Sequence, residues 1–454
     1  MPRFFQFVAI LAPIVAVFFV YQSSPIPSLD TVISLDFLDV VAQRLSYSWP
    51  LAVHPDYENQ ELTGKPGQSP VQIEVEIGYG EDTVSPDHVY PAHHEHQEEE
   101  KFKEKEEKGF SRTIVAVGDL HGDMPNAQTV LEMAGVVDEN GNWAGEVDYF
   151  VQTGDIIDRG DDTIKLYLWM DQLRDQAKAQ GGIVLSHLGN HEWMNVIGDW
   201  RYVHQSEIKT FGSVAARQKM LSSGRIGRSW AHNYTTTSRL PLHPSLGPPN
   251  TDYDPLTDLH DSPLSHAAIS FVHGGLAPTY PDLTPFPSKI NDISASLLKK
   301  LQNRDPQPAP HPPNPYPGLP SDATVAEHRL YGSDGPLWYR GWALEPEEKV
   351  CAIVDDVLQM TGTRRMVMGH TPDFQKIVSR CNGKIIIIDT GISHAYGGAL
   401  SALSIHYTLT PTQNDVNGKP TSWKEREIVT ALYIDREEVL ADDERDVMGN
   451  FYGW

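Results

Sequence analysis

Gly118-Asp119-Leu120-His121-Gly122-Asp123 follows Thr113-Ile114-Val115-Ala116-Val117, a short apolar run rich in β-branched residues that reads as a buried strand. A strand ending in a glycine-bounded Asp-x-His puts two metal-capable side chains on the loop past its carboxyl edge. In open α/β sheets ligands bind at that edge. Residues two apart in an extended segment point the same way, so Asp119 and His121 can reach one ion. Taken alone the stretch is ordinary, since many strand ends carry Asp and His.

The design recurs. Val147-Asp148-Tyr149-Phe150-Val151 leads into Gly154-Asp155-Ile156-Ile157-Asp158-Arg159-Gly160. Gly182-Ile183-Val184-Leu185 leads through Ser186-His187-Leu188 into Gly189-Asn190-His191-Glu192. Ala268-Ile269-Ser270-Phe271-Val272 leads into His273-Gly274-Gly275, and Arg365-Met366-Val367-Met368 into Gly369-His370-Thr371. One such loop arises easily by chance; five in order do not. Helical patterns at 124–134 and 162–179 alternate with the first strands, which is βαβ arithmetic.

These blocks, in this order, resemble the metallophosphoesterases, and specifically the phosphoprotein phosphatase superfamily. Gly335-Pro336-Leu337-Trp338-Tyr339-Arg340-Gly341 and Asp389-Thr390-Gly391-Ile392-Ser393-His394-Ala395-Tyr396-Gly397-Gly398 resemble its Shewanella-like, bacterial-type branch. The resemblance covers roughly residues 111 to 435. It implies an α/β fold: a β-sandwich of two mixed sheets flanked by helices, with a helical cap insertion. It also implies two metal ions, Mn, Fe or Zn, since carboxylate, imidazole and amide oxygen suit these better than a thiolate-loving metal. Carried over motif by motif, Asp119, His121 and Asp155 would hold the first ion. Asp155, Asn190, His273 and His370 would hold the second, with Asp155 bridging. His191 would be the proton donor to the leaving group, positioned by Asp158. The plainer reading of Asp158 is a cap for the helix that follows. Arg159 and Arg340 would clamp phosphate oxygens, with Asn190 beside them and Tyr396 at the pocket mouth. His187, inside a strand, reads as a core histidine; His394 is left open.

The chain has 454 residues and a net charge of −25, from 36 basic and 61 acidic side chains. That balance argues against nucleic acid as a partner, because binding a phosphate backbone needs Lys and Arg to replace its counterions. Only Cys351 and Cys381 occur; they read as separate buried thiols, with pairing in an oxidising compartment left open.

Residues 1–28 hold an apolar stretch, 4 to 21, that fits either a signal peptide or a membrane anchor. The absence of a small-x-small cleavage site favours an anchor, which would tie the protein to a membrane of the secretory pathway. The sequon Asn233-Tyr234-Thr235 is weak support for that route. Residues 29–110 read as a linker, with a short amphipathic helix at 29–49, His93-His94-Glu95-His96 and a charge run from Glu98 to Lys108. The phosphoesterase domain spans 111–435, with a cap insertion at about 193–264 and a Pro-rich loop at 305–320 that is an irregular loop before it is a partner site. Strands past residue 364 are expected in the second sheet, and 436–454 as a peripheral tail.

The expected function is hydrolysis of phosphomonoesters on phosphoproteins, Ser/Thr or Tyr, by in-line attack of a hydroxide bridging the two metals. A dinucleoside polyphosphate hydrolase or other diesterase is the alternative within the same chemistry. A membrane-tethered scaffold with a vestigial site is the alternative of another class.

Overall fold

A computed structural model describes residues 109–258, 262–306, 311, 315–414 and 420–451. The apolar segment at 4–21, the helix at 29–49 and the histidine-rich, charged linker therefore lie outside the described residues, as does part of the Pro-rich loop.

The strands are β1 (Phe110–Val117), β2 (Tyr149–Gln152), β3 (Ile183–His187), β4 (Tyr234–Thr235), β5 (Thr237–Pro241), β6 (Ala268–Val272), β7 (Arg365–Met368), β8 (Val378–Arg380), β9 (Ile385–Ile387), β10 (Ser401–Asn414), β11 (Pro420–Tyr433) and β12 (Glu437–Met448). The helices are α1 (Met124–Met133), α2 (Thr163–Ala179), α3 (Asn190–Ile197), α4 (Gln205–Thr210), α5 (Val214–Leu221), α6 (Arg225–Asn233), α7 (Ser288–Gln302), α8 (Val325–Tyr331), α9 (Gly341–Leu344), α10 (Glu347–Cys351) and α11 (Val354–Thr361).

Two mixed sheets form. One has the order β12-β11-β10-β1-β2-β3-β4 and the other β5-β6-β7-β9-β8. In the first, β1 to β4 run parallel and β10 to β12 antiparallel. Strand alternation explains why both faces of β1 are apolar. Ile114 and Ala116 join a buried cluster with Ile269, Phe271, Val367 and Ile386 of the other sheet. Val115 and Val117 join a second cluster with Ala127 and Leu131 of α1. A strand covered on both sides carries a continuous apolar run, so the loops past these strand ends inherit a rigid base.

Strands β10 and β11 do not extend the second sheet: the loop after β9 crosses back, and β10 pairs antiparallel with β1 along Phe110 to Ala116. Within the expected peripheral tail, Glu437–Met448 form the edge strand β12, which pairs with β11. Its charged sequence hides the strand, and cross-strand ion pairs such as Arg426–Asp442 and Lys424–Glu444 replace apolar alternation at this exposed edge. The helical cap is narrower than 193–264. It ends with α6 at Asn233, and β4 and β5 then return the chain to the two sheets. Cys351 and Cys381 form a disulfide rather than two thiols. It ties α10 to the end of β8, residues that the sequence separates by 30 positions.

Glu327 closes a capping box at the start of α8, the helix leading toward Trp338 and Arg340. Its carboxylate accepts from the Thr324 N–H at 2.7 Å, Lys300 at 2.8 Å and the Ser296 hydroxyl at 2.8 Å. Burial pushes the Glu327 carboxyl up, but the Lys300 ammonium and these donors outweigh it and hold it at about 2. Glu327→Gln is therefore expected to cost about 1–2 kcal/mol near pH 7 in urea unfolding. A carboxyl depressed on folding stabilises above its unfolded value of 4.5. The difference between the two proteins should fade as pH falls from there toward about 2.

Candidate active site

The five expected loops converge. Leu120 and His121 both donate their N–H to Asp155 O at 3.0 Å, and Gly122 donates to Ile156 O at 2.7 Å. The first two metal-capable loops are thus stitched backbone to backbone. Gly122 has φ +68, and a Cβ there would lie 2.6 Å from Gly160, so only glycine lets the loops approach. A Cβ at Gly189 would collide with Asp155 Oδ1. His121, Asp155, Asp158, Arg159 and His370 all have positive φ, a strained conformation that clusters at functional sites.

Asp155 lies at the centre. Its Oδ2 is 3.9 Å from His121 Nε2, 3.8 Å from His191 Nε2 and 3.2 Å from His273 Nε2, while its Oδ1 accepts the His191 N–H at 2.8 Å. Two groups of metal-capable atoms share it, His121-Asp155-His191 and Asp155-His273-His370, each with its atoms within 4.8 Å of one another. Asp119 lies 3.9 Å from His121 Nε2, and Asn190 Oδ1 lies 2.8 Å from His273 Nε2. All six expected ligands are buried. Burial, and for His121 the neighbouring His191 and Arg159, lowers His121, His191 and His370 well below the ordinary imidazole value, leaving neutral rings able to ligate. Burial raises Asp119 and Asp155, with Asp389 reinforcing the shift of Asp119.

The residues fit two cations. His370 Nε2 is a buried nitrogen with no protein partner, beside three other imidazoles and two buried carboxylates. Such a set of imidazole, carboxylate and amide oxygen suits borderline divalent metals.

Beside this centre stand the groups for proton transfer and phosphate binding. His191 Nδ1 is 2.7 Å from Asp158 Oδ2, which fixes Nδ1 as the proton-bearing nitrogen and leaves Nε2 facing the site. Burial raises Asp158 to about 6, against the pull of Arg217 and Asn195. Asp158 makes no cap to α2, whose cap residue is Asp162. The Arg159 guanidinium is sandwiched between the rings of Tyr202 at 4.4 Å and Tyr396 at 4.6 Å. Arg340 donates to His370 O at 2.7 Å and Thr371 Oγ1 at 3.0 Å, so it lies against the His370 loop. Tyr396 packs 5.5 Å from the His121 ring.

His187 is a core histidine, hydrogen-bonded to Gln152 O and Ser238 Oγ at 2.9 Å each. His394 is 73% exposed and held by Asp123, whose carboxylate receives both its N–H and its ring.

Four further residues support the site without having been given roles. Glu192 accepts N–H bonds from Gly189, Asp155 and Ile156 and the hydroxyl of Tyr167, pinning two loops at once. Asn195 donates to Asp158 Oδ1 at 2.9 Å. Asp389 is buried beside Asp119. The fourth is Tyr202, half-buried, 5.0 Å from the His191 ring, with a carbonyl that accepts the Arg159 N–H at 3.2 Å. Tyr202→Ala is expected to raise KM for a phosphomonoester roughly 5–30-fold, the worth of about 1–2 kcal/mol of desolvated cation–π contact, with a smaller change in kcat. Tyr202→Phe keeps the ring and should stay within about twofold; steady-state kinetics on both variants checks this.

A profile of calcineurin-like phosphoesterases matches residues 112–374. The chain is 34% identical to an uncharacterized protein of Schizosaccharomyces pombe, over 68% of this chain and 80% of that one. It is 26% identical to Shewanella-like protein phosphatase 2 of Arabidopsis thaliana, over 62% of this chain and 71% of the relative. Among solved structures, the cold-active protein-tyrosine phosphatase of a psychrophilic Shewanella is similar at 25% identity and a TM-score of 0.50, covering 72% of this chain and 80% of that one.

Proposed function

The chain belongs to the calcineurin-like phosphoesterase family, and from that premise we propose that it hydrolyses phosphomonoesters on proteins with two metal ions held around Asp155. The observation that carries this reading is the single buried carboxylate shared by two three-residue donor groups, with a His–Asp pair and an arginine beside them. Asp119, His121 and Asp155 would hold one ion, and Asp155, Asn190, His273 and His370 the other, with Mn, Fe or Zn the metals this donor set favours. Bound there, the ions supply an activated water and neutralise phosphate charge.

The chain's own residues supply the rest. Arg159, held between two aromatic faces, presents its fork to phosphate oxygens without first having to be ordered. Arg340 approaches from the His370 loop. His191 faces the leaving oxygen through Nε2 and donates a proton to it as the ester bond breaks; Asp158 stabilises the ring while it carries that proton. The negative charge of a bound phosphate raises the affinity of His191 for the proton that burial alone disfavours.

Relatives named as protein phosphatases support a phosphoprotein substrate. The test is a side-by-side assay of the metal-loaded full chain on a phosphotyrosine peptide, a phosphothreonine peptide and a dinucleoside tetraphosphate, with His191→Ala as control. Turnover of a peptide, lost in the variant, supports the reading and identifies the class. Turnover of the dinucleotide alone moves the function to nucleotide hydrolysis. Biology retained by an inactive variant points to a scaffold.

We further propose that the protein enters the secretory pathway. Its disulfide suits an oxidising compartment and the apolar segment at 4–21 suits entry to it. Among the described residues no helix is long and apolar enough to cross a membrane. The mass of the mature amino terminus distinguishes a cleaved signal from an anchor, and a protein recovered only from the cytosol with free thiols contradicts the placement.

A further inference from the structure

Between α3, α5 and the carboxyl end of α7 lies a cavity of about 430 Å³. Trp200, Leu221 and Leu301 supply apolar wall, and Asn195, Lys219 and Arg304 supply polar groups. Two buried polar atoms of these residues have no protein partner: Asn195 Oδ1, an acceptor, and Arg304 Nη1, a donor. Asn195 is only 5% exposed. Its orientation is fixed, because Nδ2 serves two acceptors, Asp158 Oδ1 and His191 O, both at 2.9 Å, so Oδ1 is the atom left over. Arg304 spends Nη2 on Gly318 O at 2.8 Å and keeps Nη1 free. Asp305 also lines the cavity, but it is exposed.

We propose that this cavity is a second ligand site, separate from the metal centre, for a small organic acid with a ring-sized apolar body and a hydroxyl group. Its size falls in the range of small-molecule pockets. The carboxylate meets Arg304 and Lys219, the hydroxyl donates to Asn195 Oδ1, and the body packs on Trp200, Leu221 and Leu301. Two of these contacts answer buried atoms that otherwise have no protein partner, Asn195 Oδ1 and Arg304 Nη1, which is where a ligand hydrogen bond gains most, while Lys219 is exposed and adds charge at the rim. Because the same Asn195 amide holds Asp158, and Asp158 holds His191, occupancy is coupled to the proton donor. That coupling rests on the function proposed above; binding does not.

Calorimetry on the full chain with phenyllactate as probe tests the site. Saturable binding is expected, about tenfold weaker for phenylpropionate, which lacks the hydroxyl, and for Arg304→Gln, which lacks the charge. Ala215→Trp, on the exposed flank of α5, should block the cavity and abolish binding with basal activity within about twofold. Orthophosphate should not displace the probe, and the probe should change kcat about twofold or more at unchanged KM. No saturable binding, equal binding by both variants, or displacement by orthophosphate overturns the site. Binding with these selectivities by a protein that turns over no phosphomonoester supports the site and removes only the function to which it was coupled.

Discussion

Asp155→Asn is expected to lower kcat/KM by roughly 10³-fold or more and to leave the protein unable to retain two metal ions. Asp155 is the one side chain common to both donor groups, and its Oδ2 lies within 3.9 Å of three imidazoles. An amide keeps the shape but replaces one carboxylate oxygen with N–H donors and removes the charge that offsets two dications. The loss corresponds to the several kcal/mol that metal-ion charge stabilisation contributes to a phosphoryl transition state. Fold should survive: the backbone oxygen of Asp155, not its side chain, anchors the first loop, and its N–H is held by Glu192. Metal analysis and steady-state kinetics on the same preparation check both halves. Two metals retained with near-normal turnover would refute the bridging role.

Replacement of His191 by Ala should lower kcat by roughly 10²–10⁴-fold, the usual worth of a positioned proton donor. The loss must depend on the leaving group. An alkyl phosphate needs its departing oxygen protonated, whereas a nitrophenyl phosphate leaves as a stable anion, so the defect should shrink markedly for the latter. Asp158→Asn should show the same leaving-group pattern at smaller size, because it disturbs the ring through the 2.7 Å contact without removing it. The two changes should be far from additive, as for residues that act as a unit. Equal losses on both substrates would mean that His191 serves the metal site, which its place 3.8 Å from Asp155 Oδ2 makes the competing role.

The loops at Asp119, Asp155, Asn190, His273 and His370 were legible because their signal is local. An apolar run that becomes a glycine-flanked polar residue marks a strand end, and strand ends of a shared sheet edge converge. Asp389 carries the same mark, Ile385-Ile386-Ile387-Ile388 into Asp389-Thr390-Gly391, and its burial beside Asp119 could have been anticipated. Glu192, Asn195 and Tyr202 were not legible as functional. Their roles depend on which loops face them: Glu192 reaches Asp155 across 37 positions, and Tyr202 meets Arg159 only because the chain folds back after α3. The edge strand β12 hid behind charge: it is held by its backbone ladder to β11 and by Val447, Leu440 and Ala441 against the core, while its exposed charged side chains, paired across to β11, mask the strand pattern. The disulfide is similar: neither cysteine has a neighbour that announces the other, and only the packing of α10 against β8 brings them together.

Turnover is expected to require two ions sharing Asp155. The most direct measurement strips the full chain of metal, adds Mn back in steps, and records bound metal and phosphomonoester hydrolysis together. No turnover is expected without metal, and activity is expected to rise to its maximum only as the second equivalent binds. Activity that survives chelation, or saturates with one ion bound, would contradict it.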